Sequence, residues 1–412
     1  MKSILTVGII ALSIGSATLA ADWPQWRGPT RDGISRETGL LKEWPPGGPP
    51  LHWQATDIGS GYSTPVIVGG RVYLQTTRDK DEFAVALDER TGDQVWSVRI
   101  GSVGPNQGPQ YTGTRSTPTV DNDRIYCLAS GGELVCLEVA DGQQLWQQHL
   151  EEDFGGKPGK WAYAESVLID GDVLVCTPGG SQATLAALDK MSGDLLWESQ
   201  VPGEESAEYA SIMTAGSGSR RQYVQFLRKG LVGVAAKTGK LLWRYDKTID
   251  EYANILTPIV RGNRVFSAGS GTGGGVAELT GDGDRITVKE VYTERHLSAS
   301  IGGAVLVGGN LYGASKRAMF CADFATGKIS WSERAMRNAS ICCADGLLYV
   351  RLHGNGEVAL VEPSSREYLE RGRLEPPQRS RSKAWPHPVV ANGILYLRDE
   401  NFLFCYNVGA SK

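Results

Sequence analysis

The sequence predicts an all-β chain: an eight-bladed β-propeller of four-stranded antiparallel blades, its ring closed by an N-terminal strand that joins the C-terminal blade. Three observations carry this. A unit ending in Trp recurs along the chain, a hairpin signal precedes each copy, and strands are left over at the two ends.

The Trp-ended unit reads "VALDERTGDQVW" (85–96), "VCLEVADGQQLW" (135–146), "AALDKMSGDLLW" (186–197), "VGVAAKTGKLLW" (232–243) and "FCADFATGKISW" (320–331). Each is a strand, an acidic or small residue, a turn closed by Gly, and a second strand carrying Trp. The longest interval spans two periods, and "AELTGDGDRITV" (277–288) fills it with Val288 at the Trp place. "VALVEPSSREYL" (358–369) is a further degenerate copy, with Leu369 there.

The hairpin signal is an apolar strand, a short turn and another strand. It begins at 63, 116, 165, 211, 256, 303, 340 and 387, as in "STPVIVGGRVYL" (63–74) and "HPVVANGILYLR" (387–398). Most turns are Gly-Gly, Asn-Asp, Asp-Gly, Gly-Asn or Asn-Gly, pairs that tolerate the positive φ of tight hairpins. A repeated four-stranded unit of about 40–50 residues is a propeller blade. The last hairpin is followed by "FLFCYNVGASK", one strand short, and "LHWQATDI" (51–58), with Trp53, is the strand that completes it. The chain thus divides into a leader (1–20), an arm (21–50) and one propeller (51–412).

The leader has a basic start at Lys2, an apolar run over 4–15 and small residues before a cleavage point after Ala20. That is the pattern of an export signal. No later stretch reaches spanning length, and the first Cys is Cys127, so no lipid-anchor thiol follows the leader. An exported monomer, periplasmic or extracellular and not a lipoprotein, is expected. A net charge of −4 with mixed signs offers no reason to propose nucleic acid.

Seven Cys leave at least one thiol unpaired in a monomer, and none has metal-ligand spacing. Cys136, Cys321 and Cys405 share a small slot where other blades have Ala86 and Ala187. Cys127 and Cys136 flank a Gly131-Gly132 turn and face each other across that hairpin. A disulfide there and two core thiols are both open readings. "GSGTGGG" (269–275) lacks the following Lys-Ser/Thr of a phosphate loop and reads as a hairpin. "GDGDR" (281–285) lacks the distal Glu of a Ca²⁺ loop and reads as a turn.

"LDERTGDQVW" and its copies resemble the PQQ-like repeat of quinoprotein dehydrogenases and BamB-type propellers, over essentially the whole chain after the leader. The resemblance implies that each repeat Trp docks on the neighbouring blade near the turn Gly, a structural role for Trp53, Trp96, Trp146, Trp197, Trp243 and Trp331. Burying such a ring contributes about 3 kcal/mol and lets its N–H find backbone. "WPQWRGPTRDG" (23–33) is similar to the N-terminal arm of exported PQQ-like propellers of unassigned function. Trp23 and Trp26 fall outside the blade count and read as clamps that fix the arm against the last blade or across one face.

Quinoproteins place their cofactor among the loops that join strand D to strand A and strand B to strand C. The strand starts put Tyr62, Arg115, Tyr163, Tyr209, Ile255, Ile301, Asn338 and Trp385 at that mouth. Two positions on come Thr64, Thr117, Glu165, Ser211, Thr257, Gly303, Ser340 and His387. Tyr62, Arg115, Tyr163, Glu165, Tyr209, Trp385 and His387 are the candidate ligand-binding residues; the same aromatics plugging the channel is the other reading. A redox member typically adds Ca²⁺ held by Glu and Asn, a catalytic Asp and a vicinal disulfide. Here Cys342-Cys343 lies within a strand, with side chains on opposite faces, and no Ca²⁺ ligand or catalytic Asp matches. No catalytic or metal residue and no cofactor is assigned; PQQ with Ca²⁺ belongs to the alternative. The basic loop 371–387 and the partly acidic loops 151–165 and 202–209 share the mouth face, where charge sectors orient a partner or are simply solvated.

The expected function is a non-catalytic scaffold that binds a protein or an extended polymer such as polysaccharide. The alternatives are a PQQ-dependent alcohol or sugar dehydrogenase and a carbohydrate-binding module. Deleting residues 22–35 is expected to lower the melting temperature of the purified mature protein. An unchanged transition would mean that the arm is a tether or binding element.

Overall fold

A computed structural model of the chain describes residues 22–105, 113–203, 205–282, 285–299 and 301–410. The leader read over 1–20 lies outside the described residues.

Eight antiparallel sheets form, each with its four blade strands bonded in the order A-B-C-D. Strand A is Val66–Val68, Thr119–Asp121, Leu168–Asp170, Met213–Ala215, Ile259–Arg261, Ala304–Val307, Ala339–Ala344 and Val389–Ala391 in blades 1 to 8. Neighbouring A strands touch around the axis. Their turns to strand B use the left-handed backbone that the sequence permits: Gly69 and Gly70 have φ of 58° and 77°, and Asn122 and Asn392 each have 55°.

Both chain ends build blade 8. Leu51–Ala55 pairs antiparallel with Phe402–Asn407, and Trp53 stands opposite Cys405. Two fully buried arginines knit the seam: Arg351 of blade 7 donates to the Arg398 carbonyl of blade 8 (2.5 Å), and Arg398 donates to the Gln75 carbonyl of blade 1 (2.5 Å).

Strand D slips against strand C beside each repeat Trp; in blade 1, Trp96 faces Ala86 but Gln94 faces Leu87. This bulge accompanies an indole that reaches the next blade. The ring N–H of Trp53, Trp96, Trp146, Trp197 and Trp331 donates to the carbonyl of Glu89, Val139, Lys190, Ala236 and Ser364, at 2.7–3.1 Å. A turn Gly lies against the ring where no side chain fits: a Cβ on Gly239 would stand 2.4 Å from Trp197. Trp243 differs, donating to Oε1 of Gln222 in its own blade.

The two degenerate copies are corrected. Val288 pairs with Leu279 partway along a longer hairpin, Gly273–Asp282 with Arg285–Glu294. The residue at the bulge is Tyr292, opposite Val276; its hydroxyl donates to the Phe324 carbonyl (3.2 Å). In blade 7, Leu369 pairs with Glu362, and the bulge position is Gly372, opposite Leu360. The arm fills this gap. Trp44 bonds through its backbone N–H to the Arg371 carbonyl (2.9 Å), and a Cβ on Gly372 would stand 2.5 Å from the Trp44 Cβ. The Trp44 ring lies 5.8 Å from Tyr349, as Trp96 lies 5.9 Å from Tyr73.

Residues 23–35 of the arm run through the axis, with Trp26 against His387 of the last blade, and residues 39–41 then lie along that blade, where Leu41 donates to the Val408 carbonyl and Ala410 to the Gly39 carbonyl. Trp23 exchanges two backbone bonds with Ile67, and Val120 donates to the Pro24 carbonyl (2.8 Å). Arg31 donates to the carbonyls of Ser166 (2.6 Å) and Val167 (3.0 Å), and Arg27 to that of Ala304 (2.6 Å). Ile34–Ser35 adds a parallel fifth strand beside Cys343 and Ala344. The inner strand edges carry unpaired N–H and C=O groups that need partners, and that demand sets the arm's path.

The cysteine hairpin is also corrected. Tyr126 pairs with Cys136, and Cys127 with Val135. The turn sits one residue off the expected place, so Cys127 and Cys136 point to opposite faces and enter different cores. All seven thiols are buried and free. Cys342 and Cys343 likewise divide between two cores.

Trp44→Ala is expected to destabilise the protein by about 3–5 kcal/mol, as the repeat Trp do, with Trp44→Phe recovering part of it. An unchanged denaturation midpoint for Trp44→Ala would remove Trp44 from the docking set.

Candidate functional site

At the mouth end of the axis lies a cavity of about 370 Å³, within the usual range of small-molecule sites. Tyr62, Arg115, Tyr209, Trp385 and His387 line it, over a floor that includes Trp26 and Arg27 from the arm. Trp26 donates through its ring N–H to Oγ1 of Thr257 (2.9 Å) and meets His387 edge-on at 4.7 Å.

A belt of hydroxyls holds the inner strands beneath the mouth. The backbone N–H of His387 donates to Thr64, that of Thr64 to Thr117, that of Thr117 to Ser166 and that of Ser166 to Ser211, at 2.9–3.3 Å. This explains why Thr and Ser recur in that column.

Tyr163 and Glu165 do not line the cavity. Blade 3 runs one residue out of the expected register, and Ala164 and Ser166 stand in their places; in a strand, one residue reverses the face. Tyr163 is buried and donates to the Pro178 carbonyl (3.0 Å). Glu165 accepts from the Thr177 N–H (2.7 Å), as Ser63 accepts from Gln75 in blade 1 (3.1 Å). Ile255, Ile301, Thr64, Ser211, Thr257 and Gly303 are at the mouth. Ser340 instead bonds Nε2 of His353 (2.8 Å), and Asn338 accepts from the His353 N–H.

Trp161, Trp26, Asp250, Tyr252 and Lys316 join the lining although the sequence does not assign them to the mouth, Trp26 reading there only as a clamp of the arm. Trp161 is placed by long-range bonds: its backbone N–H donates to the Tyr209 hydroxyl (3.0 Å), and Arg115 donates to its carbonyl (2.7 Å). Two tilted aromatic pairs result, Tyr62–Trp385 at 4.9 Å and Trp161–Tyr209 at 5.5 Å. Tyr252 is 78% exposed and stands at the rim.

Burial, reinforced by the Arg27 charge, pushes the His387 imidazole down to about 3, so it is neutral and its Nε2–H donates to the Ile301 carbonyl (3.0 Å). Burial pulls the Arg115 guanidinium below its ordinary value and pushes the Tyr209 hydroxyl up to about 12. Asp250, the one carboxylate among the described residues of the lining, accepts from the backbone N–H groups of Tyr252, Ala253 and Gly271. Ca²⁺ takes about six to eight oxygen ligands, mostly carboxylate or carbonyl, so this donor set does not fit a Ca²⁺-held quinone. Among the described residues, no cluster of three His, Cys, Asp or Glu is placed to hold a metal.

Burial also pushes the Glu165 carboxyl up to about 8. The unfolded chain ionises first, so this group's contribution to stability is full below about pH 4.5, falls as pH rises and is gone above about pH 8. The melting temperature of Glu165→Gln is therefore expected to fall less between pH 5 and pH 8.5 than that of the parent protein. Parallel curves would show that Glu165 is ionised in the fold.

No helix among the described residues is long and apolar enough to cross a membrane. The family model described as outer membrane protein assembly factor BamB matches residues 50–157 and 80–333, overlapping as a repeat allows. BamB of Burkholderia pseudomallei is 26% identical over 201 residues, 48% of this chain and 42% of that protein. Quinohemoprotein alcohol dehydrogenase of Comamonas testosteroni is 26% identical over 159 residues, 36% of this chain and 21% of that enzyme. The aligned regions span from 21% to 60% of the lengths of such curated relatives. Among solved structures, BamB from Moraxella catarrhalis superposes with a TM-score of 0.61 at 14% identity, covering 87% of this chain and 99% of that one. The Comamonas dehydrogenase gives 0.66 at 14% identity, covering 95% and 81%. These superpositions speak to the fold, and the match to the family model covers more than half of the sequence: the chain belongs to the PQQ-like repeat propeller family whose model is described as outer membrane protein assembly factor BamB.

Proposed function

We propose that the protein is an exported, non-catalytic binding scaffold that engages a protein or an extended polymer through its mouth face. The observation that carries this is a cavity floored by the chain's own arm and walled by aromatic pairs, whose carboxylate and imidazole are already bonded to backbone. Such a lining recognises flat or extended surfaces. The relatives named as assembly factors support the reading; the dehydrogenase relative supplies the rival, which the cavity's donor set disfavours.

Much of the loop charge is engaged inside the ring. Arg379 pairs with Asp399, Arg373 with Glu357 and Glu370, and Glu205 with Arg244. Recognition therefore rests on the aromatic mouth more than on opposed charge sectors.

A photo-crosslinking residue at Tyr252, on the mouth, is expected to trap a discrete partner in extracts of the source organism. The same residue at Asn122, in an opposite-end turn, is expected not to. The protein incubated with PQQ and Ca²⁺ is expected to leave an electron-accepting dye oxidised in the presence of alcohols or sugars. Equal trapping at both ends, or dye reduction, would overturn the scaffold reading.

A further inference from the structure

We propose that the axial cavity binds an acidic sugar, the terminal uronate of an oligosaccharide, entering end-on. The inference rests on the mouth face being a binding surface and names the ligand its cavity takes.

Four features select this chemistry. First, the arm floors the cavity, so a polymer reaches it by an end or a branch and leaves the rest of its length across the rim. Second, the aromatic pairs are tilted, Tyr62 and Trp385 by 41° and Trp161 and Tyr209 by 46°. Tilted rings do not form the parallel slot that a fused planar aromatic fills, whereas the C–H faces of a puckered sugar pack against them. Trp161, Tyr209 and Trp385 are each only partly buried, leaving ring surface for contact.

Third, Thr64, Ser166, Ser211, Thr257 and Ser270 bring hydroxyls to the lining. The first four accept N–H bonds from backbone or indole, which leaves their own O–H groups as donors for a polyol. Fourth, the described residues of the lining include three cationic ones, Arg27, Arg115 and Lys316, against one carboxylate, Asp250, whose oxygens accept three backbone N–H groups. A cationic wall with low-dielectric aromatic neighbours favours an anion over its neutral analogue.

Calorimetry and Trp fluorescence on the full mature protein test this, with oligomers ending in glucuronate or galacturonate, glucose oligomers of equal length, and PQQ alone. Uronate-ended oligomers are expected to bind at least about tenfold more tightly than neutral ones, in line with one charge-assisted hydrogen bond, and to weaken with salt. Trp385→Ala is expected to abolish binding. Lys316→Ala, at an exposed position, is expected to fold normally and to reduce the preference for the acid. Equal binding of neutral oligomers, binding of PQQ without uronate, or no binding of any sugar overturns the proposal. If sugars fail while the Tyr252 crosslink persists, the scaffold reading stands alone; if both fail, neither stands.

Discussion

An antiparallel blade pairs strands B and C on both sides and leaves strand A with one unpaired edge toward the axis. Around a ring these edges converge on a space too narrow for a strand from every blade, yet their backbone groups still need partners. The arm meets the demand with one passing segment. It uses backbone at Trp23, Pro24 and Ile34–Ser35, and two guanidinium groups where backbone does not reach. Arg27 and Arg31 are each 3% exposed and donate to carbonyls of blades 6 and 3. Burial lowers both to about 10, which leaves them charged at neutral pH. Arginine suits the place because its planar fork spreads several donors from one stem. A buried charge with fewer bonds would be costly.

The candidate site inherits its shape from the same segment. Trp26 floors the cavity, His387 is held neutral beneath it, and the Arg27 charge contributes to both the low imidazole basicity and the cationic lining. Ring closure, axial packing and the mouth are therefore coupled. The arm that fills the axis continues to Trp44 in blade 7 and then to the strand that completes blade 8. Arg351 and Arg398 carry that seam on into blade 1.

The blades were legible because each is a local object. Hairpin turns and a recurring Trp are read within about 40–50 residues, and the closing strand followed from counting strands. The misreadings share one cause, the assumption of constant spacing. A longer hairpin carried the docking role from Val288 to Tyr292. Shifts of one residue turned Glu165 and Tyr163 away from the mouth and separated Cys127 from Cys136. A period of two makes such slips decisive for which face a side chain occupies. Gly372 left a hole that no local pattern announces as belonging to Trp44, more than three hundred residues earlier.

What the sequence determined by itself was the number of blades, their strand order and the closing role of residues 51–58, since periodicity and turn chemistry are short-range. The path of the arm, the register within blade 3 and the membership of the cavity were decided only in three dimensions. Each depends on hydrogen-bond partners and packing partners that are distant in the chain, and an irregular stretch such as "DWPQWRGPTRDGIS" (22–35) acquires its geometry from the strand edges around it.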